Sequence, residues 1–138
     1  MIVIDNRIIR LRSQGYNNEV VLAILSTEMH FRPLGLRLLE YLTLGFFGHA
    51  RTIGIGQIHI KHWNKRGYYG FDAILAALSP ERNYKICEEL IFQDSRNRTF
   101  KEKLTVYTGE VTQSYYRTFS IYLELLSSKK SANIRLIG

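Results

Sequence analysis

The chain has 138 residues, 46 % hydrophobic and 22 % charged, which is enough for one domain with its own core and ordinary for a globular protein. Its net charge of +7, from 19 Lys and Arg against 12 Asp and Glu, draws it to polyanions (nucleic acid, teichoic acid or an anionic envelope) without choosing among them. No run reaches the roughly 18 apolar residues of a membrane span, because the most apolar stretch, 34–47, is broken by Arg37 and Glu40, and the single Cys87 excludes an internal disulfide.

Residues 5–14 predict a short first helix, ended by Gly15. A second helix is expected over 17–29, with Asn17 as its N-cap. Its apolar stripe carries Val21, Ile24, Leu25 and then Glu28, at steps of three and four. If a carboxylate there is buried, desolvation and the negative end of the helix dipole both raise its pKa, as a general acid working near neutrality requires. Pro33 suits the first turn of a third helix through 44, and residues 45–48 open a loop. The segment 52–56 is too short for a regular element on its own, and 57–64 resumes helical spacing with Ile58, His59, His62 and Trp63. A second loop, 67–70, precedes a short helix over 71–78.

Ser79-Pro80-Glu81 combines a capping hydroxyl, a proline and an early acid, and starts a helix running to about residue 93 that buries Tyr84, Cys87, Leu90 and Ile91. Further helices are expected over 99–107, ending near Gly109, and over 112–126, with Tyr115, Phe119, Tyr122 and Leu126 on one side. Residues 129–138 read as a basic, loose tail. The expected architecture is mainly α: one compact helical domain, 1–128, with a central cleft.

Three pieces fall in a telling order: Glu28 closing an apolar helix, then Thr52-Ile-Gly54-Ile-Gly-Gln57 leading into a helix, then Val106-Tyr107-Thr-Gly109 between two late helices. This order resembles the lysozyme-like superfamily, most closely soluble lytic transglycosylases and goose-type lysozymes. In that family a helix ends in the catalytic glutamate and a [Ser/Thr]-x-Gly-x-x-Gln loop follows, matched here by Thr52, Gly54 and Gln57. Pro80-Glu-Arg-Asn83-Tyr looks like the family's Pro-x-x-Asn-Ile helix start, and 106–109 like its Ala-Tyr-Asn-Gly segment. The resemblance spans about 17–125. Two departures stand out: the 29 positions from Glu28 to Gln57 imply a helical insertion beside the cleft, and Thr108 replaces the family's asparagine.

The resemblance implies a lysozyme-like α+β fold with little or no sheet. It also implies cleavage of the β-1,4 bond between N-acetylmuramic acid (MurNAc) and N-acetylglucosamine (GlcNAc) in peptidoglycan. Glu28 would be the catalytic acid and base, with Thr52, Gly54, Gln57 and Tyr107 shaping the sugar site. His59, His62 and Tyr68 are candidate cleft-lining residues, and Tyr68, Tyr69 and Trp63 candidate sugar-stacking rings. Hydrolysis needs a second carboxylate. The next acids, Glu40 and Asp72, sit in no recognisable motif, which favours a transglycosylase forming 1,6-anhydro-MurNAc ends over a hydrolytic muramidase. A catalytically silent wall- or polyanion-binding module is the alternative from another class.

Plainer readings compete at each residue. Glu28 could pair with Arg32 or Arg37, Tyr107 and Trp63 could be packing, and Cys87 a small buried side chain. His59 and His62, with His30 near Glu28, lack a third ligand at fixed spacing, so neither metal nor cofactor is expected. The basic cluster Arg96, Arg98, Lys101 and Lys103, with Lys129, Lys130 and Arg135, carries no nucleic-acid signature. The expected partner of a monomeric protein is the peptidoglycan glycan strand it acts on, with an inhibitor or immunity protein left open. The N-terminus lacks the basic region and apolar core of a signal peptide, so an extracytoplasmic location is inferred from the substrate alone.

Overall fold

The computed structural model describes residues 4–31, 52–92, 99–108 and 111–127. The expected helix over 33–44, the 45–48 loop, Arg32, Arg37, Glu40, Arg96, Arg98, Gly109, the side chain of Thr108 and the 129–138 tail lie outside the described residues. Within them the protein is mainly helical, with a single two-stranded sheet. The elements are α1 (Asn6–Ser13), α2 (Glu19–Phe31), β1 (Thr52–Ile53), β2 (Ile58–His59), α3 (Ile60–Asn64), α4 (Phe71–Ala77), α5 (Pro80–Phe92), α6 (Phe100–Thr108) and α7 (Gln113–Ser127). No helix among them is long and apolar enough to cross a membrane.

Side-chain caps fix most helix starts. The Asp5 carboxylate accepts from the Arg7 N–H at 2.8 Å and opens α1. Helix α2 is capped by Asn18, not by Asn17: Asn18 Oδ1 accepts from the N–H groups of Val20 and Val21, placing the start one residue later than expected. Ser79 caps α5 as its sequence predicts, accepting from the Arg82 N–H. Thr99 and Glu102 make a reciprocal capping box on α6, and Thr112 Oγ1 accepts from the Tyr115 N–H to start α7.

Helix α2 is the hub. It packs against α7, α5 and α1, and every residue from Val21 to Glu28 is buried. The single apolar stripe read from the sequence is therefore one side of a helix covered all round, which explains why Ala23, Ser26 and Thr27 are as buried as Ile24. Ser26 and Thr27 satisfy their hydroxyls on the carbonyls one turn back, at 2.8 and 2.7 Å. Helix α7 lays Tyr115, Phe119, Tyr122 and Leu126 on this hub, and α5 adds Tyr84, Cys87 and Ile91; Leu90 is only half-buried.

A second, smaller core gathers Ile53, Ile58, Trp63, Ala73, Ile74, Ala76, Ala77 and Ile86. Here the structure departs from the sequence reading in one respect. The segment 57–64 is not helical throughout: Ile58 and His59 form β2, paired antiparallel with β1 in the register Thr52–His59 and Ile53–Ile58, and the helix begins at Ile60. The β-branched Thr52, Ile53 and Ile58 favour extended backbone, and neither strand has a stable form without the other.

Candidate functional site

The hairpin turn between β1 and β2 is built around Gly54 and Gln57. Gly54 has φ +82°, and Gln57 is the one non-glycine residue with positive φ among those described, at +48°. That conformation costs a side-chain-bearing residue about 1–2 kcal/mol, and the Gln57 side chain offsets it locally. Its Nε2 donates to the Gly54 carbonyl at 3.1 Å, and its Oε1 accepts from Thr52 Oγ1 at 2.8 Å. Gln57 is buried, and both ends of its amide are spent within the hairpin.

The two glycines are required by protein rather than by empty space. A Cβ at Gly54 would lie 2.5 Å from Asn83 Oδ1 and 3.0 Å from the Ala77 carbonyl; at Gly56 it would meet the Tyr107 hydroxyl at 2.8 Å and Leu25 Cδ2 at 2.9 Å. Asn83 and Tyr107 hold the Gly56 residue from opposite chemical ends. Asn83 Oδ1 accepts from the Gly56 N–H at 3.1 Å, and the Tyr107 hydroxyl donates to the Gly56 carbonyl at 2.5 Å. Asn83, fully buried, uses its other end to donate to the carbonyls of Ala77 and Ser79, tying the turn to the α4–α5 junction.

Glu28 sits one helical turn beyond Leu25, in the last turn of α2, with 7 % of its surface exposed. The Tyr115 hydroxyl donates to Glu28 Oε1 at 3.4 Å, a long contact. The rings of Tyr115 and the exposed Phe31 stack, 5.9 Å apart and 15° from parallel, so an aromatic pair leads from the surface towards the carboxylate. Burial raises the Tyr115 phenol above its ordinary range, and the nearby Glu28 charge adds to it. Tyr107 is likewise pushed well up, first by burial, then by Cys87, Glu28 and Tyr115. Both phenols therefore stay protonated near neutrality and serve as hydrogen-bond donors.

Sequence-distant pieces thus meet: Asn83 on α5 and Tyr107 on α6 hold the 54–57 turn, and Glu28 on α2 is near enough to Tyr107 for its charge to act on that phenol. The other candidates lie apart from these contacts. His59 is the N-cap of α3 rather than a partner of His62 on one helix face: its Nδ1 accepts from the Lys61 N–H at 3.1 Å. His62 is half-buried, and desolvation, followed by the charges of Lys61, Lys65 and Arg66, lowers its pKa to about 4. Tyr68 packs edge-on against Trp63 and lies under the Arg82 guanidinium at 5.6 Å. Trp63 is fully buried and is core, not an exposed sugar platform. Asp72 is exposed in the first turn of α4 and lines a cleft with Tyr68 and Arg82. Among the described residues no three His, Cys, Asp or Glu side chains group as a metal site.

Sequence reading missed two contributors. Tyr115 looked like one more ring on the core face of α7, and Phe31 lay beyond the expected end of α2. Phe31 follows Glu28 by three residues once α2 runs on to Phe31, whereas Tyr115 is marked by no spacing rule and reaches Glu28 only because α7 crosses α2. No protein-family model, curated protein or solved structure matches this chain.

Proposed function

We propose that the protein cleaves the MurNAc-GlcNAc bond of peptidoglycan as a lytic transglycosylase, with Glu28 as the only catalytic carboxylate. The observation that supports this most is a nearly buried glutamate in the last turn of the central helix, touched by the protonated Tyr115 and close to Tyr107, which clamps a glycine turn. Burying a carboxylate is costly for stability alone, and such groups concentrate where chemistry needs them.

In the proposed reaction the Glu28 carboxylic acid gives its proton to the glycosidic oxygen as the bond from muramic acid C1 to that oxygen breaks. The carboxylate then takes the proton of the muramic acid 6-hydroxyl, whose oxygen bonds to C1 and closes the 1,6-anhydro ring. Glu28 ends protonated and no water is consumed. The Tyr115 hydroxyl faces Oε1 and would stabilise the carboxylate while it is charged. Phe31, stacked on Tyr115, offers a sugar an apolar face. Thr52, Gly54, Gln57 and Tyr107 act by fixing the turn beside this carboxylate. The glycan strand would lie along the turn, and a net charge of +7 would hold the enzyme at an anionic, extracytoplasmic wall.

One observation favours a second reading. The Gln57 amide, the Thr52 hydroxyl and the space beside Gly54 and Gly56 are all used internally, as they would be in a catalytically silent wall-binding module with the same frame. Turbidity loss of purified peptidoglycan separates the two. Clearing by the wild type that Glu28→Gln abolishes supports catalysis; sedimentation of the protein with walls that never clear supports the silent module.

A further inference from the structure

Exposed large apolar side chains are concentrated in one stretch of the described surface. Tyr69, Phe71, Leu75 and Leu78 are 64, 55, 64 and 58 % exposed, four within ten residues. Phe71, Leu75 and Leu78, at steps of four and three, share the outer face of α4, while Ala73, Ile74, Ala76 and Ala77 fill the second core behind it. The loop leading into this face is Lys65-Arg66-Gly67-Tyr68-Tyr69-Gly70, bent at Gly67 and Gly70, which have φ +90° and +54°. Lys61 and Lys65 project from the adjoining α3 turn, and Arg82 stands over Tyr68. Arg66 is paired with Glu89. His62 sits among these cations, and its protonation is opposed first by burial and then by Lys61, Lys65 and Arg66.

We propose that this face, 65–78, docks peripherally on an anionic lipid bilayer. An interfacial helix needs leucines and aromatic rings on one face and cations close by that can reach lipid phosphates. Residues 65–78 supply the apolar side chains and Lys65, while Lys61 and Arg82 from the flanking elements outweigh the exposed Asp72. Tyr69 places a ring with a polar hydroxyl where such residues settle, at headgroup depth. A protein partner would have to supply a complementary groove for a single short helix; a bilayer interface accepts projecting side chains without one. The charges fit an anionic surface and oppose a second copy of this cationic chain. This inference does not depend on the catalytic reading, because none of its residues belongs to the Glu28 site.

The test is flotation of the full chain with vesicles of phosphatidylcholine alone and of phosphatidylcholine mixed with phosphatidylglycerol, at low and high salt. The wild type floats with the anionic vesicles, and salt releases it. Leu75→Glu and Lys65→Glu each reduce the bound fraction about tenfold, with thermal melts confirming that both remain folded. Equal flotation with both vesicle types, no flotation, or retention of Leu75→Glu would overturn the proposal. So would a dimer in light scattering that Leu75→Glu dissociates, which would assign the face to a second copy of the chain.

Discussion

A methyl group added at Gly15 meets nothing within 4 Å, whereas one at Gly54 runs into Asn83 and Ala77, although both glycines have positive φ. Gly15→Ala should therefore cost only the left-handed backbone term, about 1–2 kcal/mol. Gly54→Ala should cost that plus about 1–3 kcal/mol of overpacking, and urea denaturation of the pair reads the difference directly. Asn83 supports the same turn from the other side. Asn83→Ala would strand the buried Gly56 N–H and two carbonyls, and a loss of about 2–4 kcal/mol is expected. Equal stability of Gly15→Ala and Gly54→Ala would show that the turn yields to a side chain instead of being locked by Asn83 and Ala77. At this scale the sequence displays which residues are unusual but not what they touch. Gly54 and Asn83 stand out as letters, yet the contacts that lock the turn join Gly54 to Ala77 and Asn83, 23 and 29 positions away, and follow from packing alone.

At the scale of elements, the starts and stops were the most legible feature. Gly15, Ser79-Pro80 and the periodic rings of α7 act within a few residues, so local chemistry decides them. The strands were illegible for the opposite reason. Two residues carry no period, and β1 and β2 exist only because the 54–57 turn joins them and the second core covers them. The sequence left the burial of Glu28 conditional; it follows from α2 being enclosed on all sides instead of along one stripe. Caps offer a clean check on local control. Thr99→Ala removes the hydroxyl half of the α6 box and should cost about 1 kcal/mol, seen as a lowered urea midpoint with an unchanged slope. A much larger loss would mean that α6, and with it the Tyr107 clamp, depends on this one turn.

Across the whole molecule, the burial of one histidine, reinforced by the positive charges around it, couples stability to pH. Desolvation, then the charges of Lys61, Lys65 and Arg66, hold the His62 pKa at about 4 in the folded state, below the ordinary 6.5. The unfolded chain therefore binds more protons between those values, so stability is full above about pH 6.5 and falls as pH drops towards 4. His62→Gln should flatten that part of the pH–stability curve, and an unchanged slope in the variant would assign the acid sensitivity to other groups.

The charge surplus also suits an enzyme held at an anionic wall, and the muropeptide products of the wild type and Glu28→Gln, separated and weighed by mass spectrometry, test that account most directly. It predicts fragments ending in 1,6-anhydro-muramic acid from the wild type and none from the variant. Reducing ends, one water heavier, or products that persist undiminished with Glu28→Gln would contradict it.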